Sequence, residues 1–260
     1  MRLNELISIM EKIAPPELAF PYDNPGLLVG TERDEIKNVL LALDCTLPTA
    51  REAVRKNADL VITHHPMFFN GIKHILPNDP ETAAAYHLIR HGIGLYAAHT
   101  NLDAAQGGVN DTLAEIFSLH DIKPLPPEDL GRIGRLPEKM SLYELCILTE
   151  KKLNTSVRAA AADFKSDPRE VSVRTIALIG GSGGGDVRHA YEAGADVLIT
   201  GEIKHSQAIE AQTLGLSVIQ AGHHETEVIV MPALLRRLQD LNLGVQFSLA
   251  EDNYAPLKGV

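Results

Sequence analysis

The chain has 260 residues, 45% of them hydrophobic, with 34 acidic against 24 basic side chains and a net charge of −10 at pH 7. That length suits one large α/β domain or two smaller packed ones, and the absence of a Lys/Arg run disfavours nucleic-acid binding. Cys45 and Cys146 are the only cysteines, too few for a disulfide framework and in keeping with reduced thiols in a cytoplasmic protein.

Leu3, Leu6, Ile7, Met10 and Ile13 recur at helical spacing and predict an amphipathic first helix. Glu5, Ser8, Glu11 and Lys12 interrupt it, which excludes a signal-peptide core, and Pro15-Pro16 ends it. Asp23-Asn24-Pro25-Gly26 is a turn cluster. Strands are expected at 27–29, 39–43, 59–63 and 93–98, and helices at 48–56 (capped by Thr46), 81–91 and 110–117. The continuous apolar runs are of the buried-strand type, and their alternation with helices predicts a largely parallel sheet covered on both faces. The stretch 123–137, with its prolines and glycines, reads as an irregular connection. A helix at 142–154 and a strand at 175–179 follow. The strand leads into the glycine run Gly180 to Gly185 except for Ser182, and a helix is expected at 186–193. Further strands are expected at 197–199, 218–219 and 245–249, with helices at 206–213 and 227–240. No stretch has the length of a membrane-spanning helix.

An internal repeat is visible. Asn57-Ala58-Asp59-Leu60-Val61-Ile62-Thr63 matches Gly194-Ala195-Asp196-Val197-Leu198-Ile199-Thr200. The segment ending at His99 parallels, more loosely, the one ending at Gly222-His223. Two similar, intimately packed α/β halves from an internal duplication explain this, divided as 1–122 and 123–260, with a metal site in the cleft between them. The match breaks after the strand, where His64-His65 faces Gly201-Glu202. A composite site to which each half gives different ligands is therefore expected.

The candidate ligands cluster at strand ends, where α/β sheets gather functional groups. His64, His65, His99 and His223 follow expected strands, and Asp44 ends one. His223 and Glu227 are spaced i, i+4, which puts both on one helical face and lets the carboxylate bridge two cations. Asp103 sits in a loop leading to Gly107-Gly108. Three imidazoles and two carboxylates make a mixed donor set for borderline to hard divalent ions. Either motif alone is more often a surface or hydrogen-bonding pair than a ligand set. The glycine run has the context of a phosphate cradle but lacks the Lys-Ser/Thr of a P-loop, so a tight turn explains it as well. No Gly-x-Ser-x-Gly elbow is present, and Cys45 has no signature of a catalytic thiol. His74, His87, His91, His120 and His189 show no ligand pattern and read as surface or packing residues.

At these residues the chain resembles the NIF-three-like family of dinuclear metal-binding proteins, also called GTP cyclohydrolase 1 type 2 homologs. The blocks that carry the likeness are Asp23-Asn24-Pro25-Gly26-Leu27-Leu28-Val29-Gly30, Thr63-His64-His65-Pro66, His99-Thr100-Asn101-Leu102-Asp103, Gly131-Arg132-Ile133-Gly134, and Gly222-His223 with Glu227. One departure is Tyr22, where some relatives carry Trp. The resemblance implies that His64, His65, Asp103, His223 and Glu227 bind two divalent metal ions per subunit (Fe, Mn, Ni or Zn), with Glu227 bridging. It also implies a ring-shaped homohexamer. The expected function is metal-dependent hydrolysis of a nucleotide-like substrate, with His99 as a candidate proton shuttle and Arg132, Arg135, Lys204 and the glycine run as candidate phosphate contacts. Phosphoester hydrolysis and a non-catalytic metal-binding scaffold are the alternatives. No membrane partner is expected.

Overall fold

The computed structural model describes residues 1–33, 35–251 and 256. The chain begins with α1 (Leu3–Ile13), β1 (Gly26–Val29), β2 (Asn38–Ala42), α2 (Leu47–Arg55), β3 (Leu60–Thr63), α3 (Ala83–Arg90), β4 (Gly94–Ala97) and α4 (Thr100–Ala104). Next come α5 (Val109–Ile116), β5 (His120–Pro124), β6 (Arg132–Ser141), α6 (Leu142–Leu153), β7 (Arg158–Ala160), β8 (Ser172–Ile179), α7 (Val187–Glu192), β9 (Val197–Thr200), α8 (His205–Leu214), β10 (Ser217–Gln220) and α9 (His223–Glu227). The segment closes with α10 (Val230–Asp240) and β11 (Gln246–Leu249). No helix of the described residues is long and apolar enough to cross a membrane.

Two compact units divide the chain. The first runs from Met1 to Gly108 and takes up the chain again at Val230; the second runs from Val109 to Ile229. The first unit holds a five-stranded sheet in the order β1-β4-β3-β2-β11. β11, β2, β3 and β4 are parallel, and β1 pairs antiparallel with β4. All four residues of β3 and of β4 are buried, as central parallel strands covered on both faces require. Leu40, Val61, Leu88, Ile93 and Leu95 lie in the core of this unit with Ala50 and Ala53 of α2. Each fully buried aliphatic side chain contributes about 1.5–3 kcal/mol through removal from water. The Thr46 hydroxyl accepts from the Thr49 N–H and caps α2, which sets the direction in which the chain leaves β2.

The second unit holds a six-stranded sheet in the order β5-β6-β8-β9-β10-β7. β8, β9 and β10 are parallel, while β5, β6 and β7 pair antiparallel. Its aliphatic core includes Leu113, Leu145, Ile176, Leu178, Ile199 and Ile219. A capping box at Ser141 and Glu144 starts α6, and Asn154, at φ 51°, ends it.

Four differences from the sequence reading have physical causes. The stretch 123–137 is irregular only at 125–131: β5 and the start of β6, on either side of that turn, pair as an antiparallel ribbon, with His120 opposite Arg135 and Lys123 opposite Ile133. The expected largely parallel sheet is two mixed sheets: β1 adds one antiparallel edge to the first, whose other edge, β11, is parallel, and β5, β6 and β7 flank the parallel strands of the second antiparallel. The helix expected at 227–240 is two helices, α9 and α10. Finally, the compact units do not follow the division at 122/123. β11 pairs in parallel with β2, Phe247 opposite Val39, so the last strand belongs to the first sheet.

Candidate functional site

In the first unit the candidate donors stand at the C-terminal ends of parallel strands. β3 ends at Thr63, and the next two residues are His64 and His65. The chain is held there by the His64 and His65 N–H groups, which donate to the Ala42 and Leu43 carbonyls at 3.3 and 3.0 Å. The Thr63 hydroxyl donates to the His65 carbonyl at 2.8 Å. Neighbouring β4 delivers Ala98 and His99. The His64 and His65 ring centroids are 5.0 Å apart, and the His99 ring lies 5.2 Å from His64 and 5.6 Å from His65. One ring nitrogen of each lies within 4.8 Å of the others. Asp103 is not on a loop, as its sequence context suggested, but on α4, with its Oδ1 3.6 Å from His64 Nε2. Both His64 and Asp103 are buried. The Asn101 side chain accepts from the His99 N–H at 2.8 Å and donates to the Ala14 carbonyl at 2.8 Å, which anchors the start of α4 to the end of α1.

The turn cluster of the sequence has a specific use. The Asp23 carboxylate meets His99 Nδ1 at 2.8 Å and accepts from the Thr100 N–H, the Thr100 hydroxyl and the Asn24 N–H. Burial alone would raise the Asp23 pKa. The hydrogen bonds from His99 and Thr100 outweigh it and hold the carboxyl well below the usual range. Asp23 is thus a fixed anion behind His99. Asp44 stands in a similar relation to His65, with Oδ1 2.8 Å from Nδ1. Cys45, next along the chain, is a partly buried thiol pushed up to about 12 by desolvation, with Asp44 adding to the shift, so it is a poor nucleophile.

In the second unit, His223 and Glu227 form the two ends of the five-residue α9. Their i, i+4 spacing brings His223 Nε2 within 3.1 Å of Glu227 Oε2. Glu202, just past β9, places Oε2 3.3 Å from His223 Nδ1. Two glycines make this possible. A Cβ at Gly181, which has φ +60°, would lie 2.1 Å from Glu227 Oε1 and 3.2 Å from His223 Nε2. A Cβ at Gly201 would lie 2.7 Å from His223 Cα. The Thr226 hydroxyl accepts from the Gly181 N–H at 3.0 Å and donates to the Gly222 carbonyl at 2.9 Å, tying the glycine run to α9.

Those bonds decide what the glycine run does. The N–H groups of Gly180, Gly181 and Gly183 donate to Asn110 Oδ1, Thr226 Oγ1 and Thr200 Oγ1. These three donors are spent on side-chain oxygens and do not cradle a phosphate, and Gly181 serves close packing around Glu227. Arg132 is likewise committed. It is buried, paired with Asp111, and donates to the Asp129, Leu130 and Gly131 carbonyls. Arg135 and Lys204 remain exposed. His189, read from sequence as a surface or packing residue, sits with Asp186 and Glu128, all within reach of one ion. The Asp186 carboxylate 3.0 Å from its Nδ1 raises its pKa.

The sequence reading missed the roles of Asp23 and Glu202. Asp44 was visible as a strand-end residue, and Glu202 as the repeat partner of His65. Neither position revealed the imidazole it touches.

The donor set fits divalent cations: imidazoles beside carboxylates, with ring orientations fixed from behind. Comparison with known proteins agrees on the kind of chain this is. A family model described as Duf34/NIF3 (NGG1p interacting factor 3) matches residues 1–254. A Clostridium perfringens protein named GTP cyclohydrolase 1 type 2 homolog is 33% identical over 99% of each chain. A Methanocaldococcus jannaschii protein of the same name is 35% identical over 88% of this chain and 91% of its own. Among solved structures, a Staphylococcus aureus hypothetical protein superposes with a TM-score of 0.91 at 28% identity, covering 100% of this chain and 99% of that one. A Bacillus cereus protein related to NIF3 gives the same TM-score at 23% identity, covering 99% and 98%, which speaks for the fold.

Proposed function

This chain belongs to the Duf34/NIF3 family, and from that membership and the donor chemistry of each unit we propose that it is a dinuclear metal-dependent hydrolase acting on a nucleotide-like substrate. His64, His65, Asp103, His223 and Glu227 would hold two divalent ions, as the family resemblance implies. The observation that carries this reading is the anchoring of the imidazoles. His64, His65 and His223 each have an oxygen at Nδ1, which leaves Nε2 as the donor atom. The space that Gly181 leaves around Glu227 supports it. The relatives' name, GTP cyclohydrolase 1 type 2 homolog, supplies the substrate class.

Divalent cations held there would supply an acidified water and a clamp for substrate oxygens. The protein's part is to fix those cations and to move protons. His99 is the group for the second task. Its Nδ1 is bonded to the Asp23 carboxylate, so Nε2 is the atom that takes or gives a proton. Asp23 holds the ring in place. With Arg132 and the glycine run committed to structure, Arg135 and Lys204 are the remaining candidates for contact with substrate phosphates. The reading carries with it a cytoplasmic, homohexameric protein, as the family resemblance implies.

The test is product analysis. Protein reloaded with Mn, Fe, Ni or Zn is incubated with GTP and other nucleotides, and formate and phosphate are measured. Metal-dependent formate release supports ring opening of a purine. Phosphate without formate supports phosphoester hydrolysis at the same residues. Bound metal with neither product from any nucleotide contradicts the hydrolase and favours a metal-carrying scaffold.

A further inference from the structure

Four histidines, three of them proposed ligands, are tethered in one way. His64 Nδ1 lies 2.9 Å from the Ala98 carbonyl, His65 Nδ1 2.8 Å from Asp44, His99 Nδ1 2.8 Å from Asp23, and His223 Nδ1 3.3 Å from Glu202. The tethers differ in charge. His64, fully buried, is held by a neutral carbonyl. His65 and His223, both partly exposed, are held by carboxylates that are themselves about half exposed.

The repeat sharpens the comparison. Thr63-His64-His65 ends β3 as Thr200-Gly201-Glu202 ends β9. The strand-end backbone bonds correspond: Ala98 N–H donates to the Thr63 carbonyl at 2.9 Å, and Ala221 N–H to the Thr200 carbonyl at 2.8 Å. Position for position, the first unit has an imidazole where the second has a carboxylate that reaches the imidazole of His223. Gly201, matching His64, leaves the space that the start of α9 occupies.

We propose that Asp44 and Glu202 are positioning residues for metal binding, each holding one imidazole, His65 or His223, from its Nδ1 so that Nε2 is the nitrogen left for a metal. This rests on the proposed metal site. A carboxylate accepting from Nδ1–H selects the tautomer, fixes the ring plane and makes the other nitrogen a stronger donor. Because both carboxylates are half exposed and lie outside the hydrophobic cores, their removal weakens the site without unfolding the protein.

The test uses cobalt(II) alone as probe on the full chain, with Asp44→Ala, Asp44→Asn, Glu202→Ala and Glu202→Gln. Cobalt affinity is measured by competition with a chelator, and ligand geometry by the visible absorption of the cobalt-loaded protein. The alanine variants are expected to lose affinity by about 10- to 100-fold and to shift the cobalt bands. The amide variants, which keep an acceptor oxygen, recover part of both. Wild-type protein that binds cobalt, with alanine variants of unchanged affinity and bands, overturns the positioning role and leaves the metal site standing. Wild-type protein that binds no cobalt overturns both.

Discussion

Asp59 and Asp196 make the same hydrogen bonds in the two units. Asp59 Oδ2 accepts from the N–H groups of Lys37 and Asn38 at 2.8 and 2.9 Å, and Asp196 Oδ2 from those of Arg174 and Thr175, both at 2.8 Å. Each residue's own N–H donates across to the neighbouring strand, Asp59 to Asn38 and Asp196 to Thr175. Each follows a residue with positive φ two positions earlier, Asn57 at 52° and Gly194 at 83°. The matched heptapeptides are therefore one structural device used twice: a helix end, a left-handed turn, a carboxylate that pins the entry of the adjacent strand, and a buried parallel strand.

The Asp59 carboxylate gives a pH prediction. Burial raises its pKa, but the Asn38 and Lys37 N–H groups and the Arg33 guanidinium lower it further, so the folded value lies below the ordinary one. Its contribution to stability is fully present above the unfolded pKa of about 3.9 and is lost as the pH falls through the folded value. Asp59→Asn should cost about 1–3 kcal/mol at pH 7, and the difference in thermal midpoint from wild type should narrow below pH 4. A difference that stays constant from pH 7 to pH 3 contradicts the assignment.

Arg132 should behave as a structural residue. Removing one partner of a buried ion pair typically costs about 3–5 kcal/mol, so Arg132→Ala should fall in that range and Asp111→Ala at or below it, since Asp111 is the more exposed partner. The double variant should cost much less than the sum. Denaturant titration reads all three. Metal content per folded chain should not change, and a selective loss of metal by Arg132→Ala would contradict this role.

Much of this was legible in the chain. The runs at Val39, Leu60 and Val197 are apolar on both faces, which only a covered parallel strand requires. His223 and Glu227 declared their shared face by spacing. Other features left no local trace. β5 has all five residues exposed, so no alternation marks it; pairing with β6 makes it a strand. α4 and α9 have five residues each, too few for periodicity. Asp44 and Asp23 reach imidazoles 21 and 76 positions away, partners that no spacing rule connects.

The glycine run separates space from flexibility. Gly181→Ala adds a Cβ 2.1 Å from Glu227 Oε1 at a left-handed φ, so it should displace Glu227, abolish metal uptake and cost at least about 1 kcal/mol. Gly185→Ala meets nothing within 4 Å and should leave both properties unchanged. Elemental analysis and thermal melts of the pair check this. Equal metal content in the two variants would contradict the role given to Gly181.

Cys45 and Cys146 should be slow thiols. Burial, with Asp44 and Glu150 adding to it, pushes them up to about 12 and about 11, so at pH 8 the native protein should react with a thiol reagent far more slowly than the unfolded chain. Rapid labelling of Cys45 in native protein would contradict its burial.

The central claim concerns the two ions, and metal per chain measures it most directly. Elemental analysis of untagged protein, purified and then reloaded with Mn, Fe, Ni or Zn, should find about two divalent ions per chain, with Glu227→Ala losing most of that uptake while remaining folded. Protein that takes up none of these metals, or a Glu227→Ala variant that retains both, would contradict the account.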